Sequence, residues 1–243
     1  TSFSDAMTVQ KTGERTFFHY RGANRTFGPG DIDLDKLDCK ILHIGYILLL
    51  DSFDAEEEEY GTVMARFLHD VQERGIQTSI DVVSDSSGEF ARKVTPALKY
   101  CDYAIMNEIE GCAVSGLAPR DQSGKLLVEN IRETLEQFLE IGVRRRAVIH
   151  CPEAGFCMDS ETGFCVVPSY QLPEGYIKGS VGAGDAFCAG CLHEIYLGST
   201  AEEMLEYAAA AAAANLSRAD AVSGMRGAGE LRKMAADWEK QKI

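Results

Sequence analysis

The sequence predicts a doubly wound α/β fold, and two observations carry that expectation. Short apolar segments of strand character alternate along the chain with segments of helical period, the pattern of stacked strand–helix units. One of the strand-like segments, residues 41–50, is apolar almost throughout, as expected of a strand buried on both faces of a parallel sheet. Composition agrees. A chain of 243 residues, 45% hydrophobic and 26% charged, can bury a sizeable core and is not collagen-like, low in complexity or disordered.

The elements are expected in this order. Residues 7–20 read as a hairpin, with Lys11-Thr12-Gly13-Glu14 as the turn between β-formers. Residues 21–33 are loop-like, rich in Gly, Asn and Pro. After the strand at 41–50, the acidic run Asp54 to Glu59 suits a helix N-terminus, where the dipole is positive. Val63, Phe67 and Val71 continue that helical period, and Gly75 stops it. Strands follow at 76–83, 103–106 and 146–150. Helices are expected at 88–100, interrupted at Pro96, and at 125–141. Two short strands near 156–158 and 164–167 flank a turn at 159–163. Helices at about 185–197, 201–217 and 228–240 close the chain. The tract Ala208–Ala214 fits a buried helix, because alanine is the best helix former and lets neighbours approach closely.

Charge and cysteine content narrow the function. With 24 basic and 38 acidic residues, the net charge of −14 disfavours nucleic acid or an anionic membrane as partner. It does not disfavour nucleotides, which bind through backbone amides and metal ions. The longest apolar run is far short of the ~20 residues of a membrane-spanning helix. Residues 1–5 lack the basic and apolar regions of a signal peptide. The eight cysteines include a single CxxC, Cys188 and Cys191, with no second pair to complete a zinc site, and are expected as small buried thiols. Reduced thiols without a secretion signal fit a cytoplasmic protein.

Two constellations carry chemistry. In Gly182-Ala183-Gly184-Asp185-Ala186-Phe187, after Lys178-Gly179-Ser180-Val181, a glycine-rich turn runs directly into a helix. Such a turn presents free N–H groups at a positive helix end, suited to phosphate. Asp185 in that first turn can accept a proton from an attacking hydroxyl, or it can merely cap the helix. In Asn107-Glu108-Ile109-Glu110, after a short strand, Asn107 and Glu110 share a side of an incipient helix at a strand's carboxyl end, where α/β sheets bind ligands. Their oxygens suit Mg²⁺; equally, they read as a capping box. The chain has no Walker A loop, no GxGxxG in register and no GxSxG.

These residues bear a family resemblance. Gly182 to Phe187 resembles the C-terminal signature of the PfkB, or ribokinase-like, carbohydrate kinases. Asn107-x-x-Glu110 resembles their second motif, in the correct order. Arg15-Thr16-Phe17-Phe18, followed by Gly22-Ala23-Asn24, is similar to their lid-strand region. The resemblance implies a ribokinase-like, mostly parallel sheet flanked by helices, with a small β lid. It divides the chain into a lid and substrate-side loop at 1–30 and an α/β nucleotide-binding core at 31–243. It implies an ATP-dependent kinase acting on a hydroxyl of a sugar or sugar-like molecule, with ATP and Mg²⁺ as cofactors. Asp185 becomes the general base, and the amides of Gly182, Ala183 and Gly184 the anion hole. Glu110, with Asn107, holds the Mg²⁺–phosphate assembly through water. His150-Cys151-Pro152-Glu153-Ala154-Gly155 occupies the place of the family's TxGxxG, which puts His150, Glu153 and Gly155 beside the nucleotide, although His150 and Pro152 replace its Thr and first Gly. Gly179 replaces a usual polar residue before the anion hole. Asn215 is expected near the adenine, and Arg21 and Asn24 near the substrate. Lid strands of the family often pair between subunits, so a homodimer through them is expected.

The family's N-terminal Gly-Gly-Asn motif and sugar-gripping aspartate are not found before residue 30. The expectation is therefore the C-terminal portion of such a kinase. The alternatives are a non-catalytic sugar- or nucleotide-binding regulatory protein on the same scaffold and, with less support, a nicotinamide-dependent oxidoreductase.

Overall fold

The computed structural model describes residues 1–8, 15–83 and 88–243. The chain opens with an antiparallel pair, β1 (Phe3–Thr8) and β2 (Arg15–Tyr20), in which Phe3 lies opposite Tyr20 and the two rings stack at 5.5 Å. The expected turn at 11–14 falls outside the described residues. Single 3-10 turns at Gly22–Arg25, Pro29–Asp31 and Leu34–Lys36 lead to β3 (Ile41–Ile47).

The acidic run does not open a helix. Glu56–Glu57 (β4) and Gly61–Thr62 (β5) pair instead as a minimal antiparallel ladder, and α1 starts at Val63 and ends at Glu73. The reason is capping: the Thr62 hydroxyl accepts from the Ala65 N–H at 3.1 Å and fixes the helix start there. The main chain then runs β6 (Gln77–Val82), α2 (Phe90–Leu98), β7 (Tyr103–Asn107), α3 (Glu108–Ser115), α4 (Val128–Ile141), β8 (Arg146–His150), β9 (Ala154–Asp159), β10 (Gly163–Pro168), α5 (Ala183–Leu197), α6 (Ala201–Asn215) and α7 (Ala228–Asp237). Pro96 lies inside α2 without breaking it.

Six strands form the main sheet in the order β10-β9-β8-β7-β6-β3. β3, β6, β7 and β8 run parallel, while β9 and β10 form an antiparallel extension. Alternation along the strands sorts the core into two layers. Ala104, Met106, Ala147 and Ile149 join Leu68, Val94, Leu135 and Phe138 of α1, α2 and α4 on one face. Tyr103, Ile105 and Val148 join Phe187, Cys191, Leu205 and Ala208 of α5 and α6 on the other. The doubly wound α/β class expected from the sequence, with a mostly parallel sheet between layers of helices, is what the chain adopts.

One expectation about β3 changes. It is the edge strand of the described sheet, and His43 and Gly45 on it are exposed, so it is not buried on both faces. Its apolar residues serve mainly one layer, where Ile44 and Ile47 enter the core, while Ile41 is only partly buried against the other.

The alanine tract packs as expected. Gly190 of α5 sits so close to α6 that a Cβ there would lie 2.7 Å from Cα of Ala208. All eight cysteines are free thiols: six are buried, Cys165 is half-buried and Cys39 exposed. Among the described residues no helix is long and apolar enough to cross a membrane.

Candidate active site

The glycine-rich turn takes its shape from contacts with the loop after α6. Gly182 has φ +76°, the left-handed region that glycine reaches without strain. A Cβ on it would lie 2.5 Å from the Ala221 carbonyl oxygen, and one on Gly179 would lie 2.8 Å from that of Ala219. Asn215, fully buried at the end of α6, donates through Nδ2 to the carbonyls of Gly182 (3.2 Å) and Ala221 (2.5 Å) and so pins the two segments together. No side chain caps α5, and the Ala183 N–H makes only a long bond to the Ser180 carbonyl (3.4 Å), so the N–H groups at the helix start can turn to a ligand. Asp185 stands in that first turn, and its Oδ1 accepts a hydrogen bond from the hydroxyl of Tyr46 on β3.

The strand ends come to the same place. Asn107 closes β7 and caps α3: its Oδ1 accepts from Ile109 N (3.0 Å) and Glu110 N (2.9 Å), while Glu110 Oε2 accepts from Asn107 N (3.1 Å). The capping-box reading of these two residues is therefore realised. Asn107 lies in register with His150, the last residue of β8. The His150 ring packs on Phe187 at 4.8 Å, and a Cβ on Gly184 would lie 3.3 Å from its Cε1. The start of α5 thus sits over the end of β8, beside Asn107.

A cleft of about 680 Å³ opens there. Asn107, His150, Glu153, Ala183 and Gly184 line it, whereas Gly155, Asn215, Gly182, Asp185 and Glu110 are not among its lining. Gly155 serves packing: a Cβ on it would meet the Phe187 ring at 2.9 Å. Arg21 and Asn24 belong to a separate, small cleft beside the hairpin, where Arg21 pairs with Asp51 and Asn24 Oδ1 accepts from the Ser2 hydroxyl.

Sequence reading missed three neighbours of the site. Tyr46 lies far from Asp185 in sequence, inside an apolar strand. Asp81 is the next-to-last residue of β6, its carboxyl pushed up to about 7 by burial, with Glu110 and Asp185 adding to the rise. Arg120, in the loop between α3 and α4, forks onto both oxygens of Glu153 (2.6 and 2.8 Å) and reaches Glu108 at 3.0 Å. That bond holds the Glu153 carboxyl down at about 2. Glu108 is almost fully buried, so Arg120→Ala strands a carboxylate. It is expected to destabilise the fold by about 3 kcal/mol, read from urea midpoints, with Arg120→Lys recovering part of the loss.

His150 gives the fold an acid sensitivity. Burial pushes its imidazole down from 6.5 to about 4, with Asp185 opposing the shift. Below its ordinary value the unfolded chain binds a proton that the folded chain does not, so stability falls as the pH drops from about 6.5 toward 4. Between pH 7 and pH 5 this amounts to about 2 kcal/mol, and His150→Gln is expected to remove that part of the pH dependence of unfolding.

The donor chemistry at this end of the sheet fits a divalent cation. The carboxylates of Glu110 and Asp185 act on that of Asp81 near the end of β6, beside the Asn107 cap. This is the hard-oxygen, negatively charged donor set that a divalent cation neutralises. Among the described residues that line the cleft there is no Lys or Arg, so a phosphate there would be met by backbone amides and a cation.

The family model described as pfkB family carbohydrate kinase matches residues 4–226. The chain belongs to that family. Similar solved structures include ribokinase from Thermotoga maritima, at 19% identity and TM-score 0.71, aligned over 98% of this chain and 70% of that one. Arabidopsis thaliana ribokinase complexed with ribose and ATP aligns at 19% identity and TM-score 0.73, over 97% and 69%. The 2-dehydro-3-deoxygluconokinase of Thermotoga maritima aligns at 17% identity and TM-score 0.73, over 97% and 72%. No curated protein matches the chain.

Proposed function

We propose that the protein transfers the γ-phosphoryl group of ATP to a hydroxyl of a sugar or sugar-like molecule. The observation that carries this reading is the union, at one point, of an uncapped helix start, a carboxylate in its first turn and the Asn107–Glu110 strand end. Asp185 takes the proton from the acceptor hydroxyl as its oxygen attacks phosphorus. The amides of Gly182, Ala183 and Gly184 receive the charge that develops on the transferring group. Glu110 and Asn107 would hold Mg²⁺ through water, and the cation, when bound, neutralises phosphate charge. Tyr46 orients the Asp185 carboxylate from the neighbouring strand. The adenine lies against the apolar part of the cleft, which Ala209, Ala212 and Ala213 of α6 line together with Leu172 and Ile177. His150 and Glu153 border the nucleotide, and Arg21 and Asn24 lie on the substrate side, on the lid-like segment 1–30 that precedes the 31–243 core.

A reducing, cytoplasmic setting fits eight free thiols. Pairing of two hairpins into a homodimer fits the exposed Phe3, Met7 and Phe18. The test is ADP release from Mg-ATP against a panel of sugars, sugar phosphates and nucleosides. Acceptor-dependent turnover is expected; nucleotide binding with no turnover on any acceptor would favour the non-catalytic binding protein instead.

A further inference from the structure

We infer that His43, Asp81 and Cys188 form a site for a soft divalent cation of the Zn²⁺ class, one helical turn from Asp185. The ligand atoms these three residues can offer all lie within 4.8 Å of one another. They come from three elements: β3, the adjoining β6, and α5.

The local structure explains the convergence. His43 and Ser79 are register partners on the parallel pair β3–β6. Asp81 follows Ser79 by two residues and so faces the same side of the sheet. The His43 Nδ1 lies 3.1 Å from the Ser79 hydroxyl, which orients the ring and leaves Nε2 for a ligand. Gly45, also two residues on from His43, keeps the space open. A Cβ there would lie 3.4 Å from Cβ of Asp81 and 3.7 Å from His43 Nε2. Cys188 closes the group from above, three residues after Asp185 along α5.

The donor chemistry selects the metal. Imidazole nitrogen, carboxylate oxygen and thiolate sulfur together suit Zn²⁺, whereas Mg²⁺ keeps to oxygen. The magnesium role proposed above falls to Asn107 and Glu110; of this trio only Asp81 feels that carboxylate group, and His43 and Cys188 have no part in it. Three protein ligands leave a fourth position for water or an incoming group. A cation held here ties the first turns of α5 to both edge-side strands of the sheet.

Co²⁺ titration of the reduced protein tests the site without reference to catalysis, so its failure and a failure of the kinase reading are told apart. A thiolate-to-cobalt charge-transfer band saturating at one equivalent is expected, displaced by Zn²⁺ and untouched by excess Mg²⁺. Cys188→Ser abolishes the band, while Cys191→Ser and Cys39→Ser keep it. His43 is exposed, so His43→Ala leaves the core intact; it is expected to weaken Co²⁺ binding at least about tenfold and to remove the rise in melting temperature that Zn²⁺ gives the unaltered protein. Absence of the band, its survival in Cys188→Ser, or undiminished Co²⁺ affinity in His43→Ala would overturn the assignment.

Discussion

Asp185→Asn is expected to lower kcat by about a thousandfold or more while nucleotide affinity stays nearly unchanged. The two side chains have the same shape, and an amide oxygen at 185 can still accept from the Tyr46 hydroxyl. Gly182 and Asn215 hold the turn independently of that carboxylate, so the N–H groups at the start of α5 keep their aim. What disappears is the capacity to take a proton from an attacking hydroxyl. Turnover by coupled ADP release and nucleotide binding by calorimetry separate the two effects. Equal turnover would remove Asp185 as the base; a parallel loss of affinity would make it a structural residue of the turn.

Gly182→Ala is expected to damage both stability and transfer. The left-handed backbone at this position costs a non-glycine residue about 1 kcal/mol. The added methyl would also meet backbone atoms of Ala221, the carbonyl oxygen at 2.5 Å and Cα at 2.9 Å. Neither can rotate away as a side chain would, so the turn and the 219–221 loop must part. The expected loss of stability is about 3 kcal/mol. Because the displaced turn carries the amides proposed to meet the phosphoryl group, kcat falls by about a hundredfold in addition. Gly198→Ala is the control. Gly198 has φ +80° but open space around it, so its substitution is expected to cost only about 1 kcal/mol and to leave kcat alone. Similar losses in the two variants would show that the contact with Ala221 carries no weight.

The fold was readable where side-chain period and burial coincide. Strands at 103–107 and 146–150 and helices along α4 to α6 stand where alternation and helical spacing put them. The start of α1 was not readable from charge. A run of carboxylates suits any solvated segment, whereas the Thr62 hydroxyl makes a specific bond that fixes the helix start. The edge position of β3 was equally hidden, since apolar content says nothing about how many neighbours a strand has. Within the candidate site, contiguous motifs were legible because each occupies one turn of chain. Tyr46 and Arg120 were not, because each meets its partner only through tertiary structure. Asn215 was read as a neighbour of adenine, and the structure places it instead as a tie between the end of α6 and the glycine turn. His150 at the TxGxxG position is accommodated by the ring of Phe187 and by the absence of a side chain on Gly184.

The run of alanines in α6 has a mechanical consequence. Methyl groups are what allow α5 and α6 to touch backbone to backbone at Gly190, and Asn215 at the far end of the same helix grips the glycine turn. α6 therefore works as a gauge bar, with its thickness setting how far the start of α5 stands from the sheet. A larger side chain on its α5-facing side, remote from any ligand, would lift that start away from His150 and Asn107. A segment that looks compositionally plain thus holds one of the tightest dimensional tolerances in the molecule.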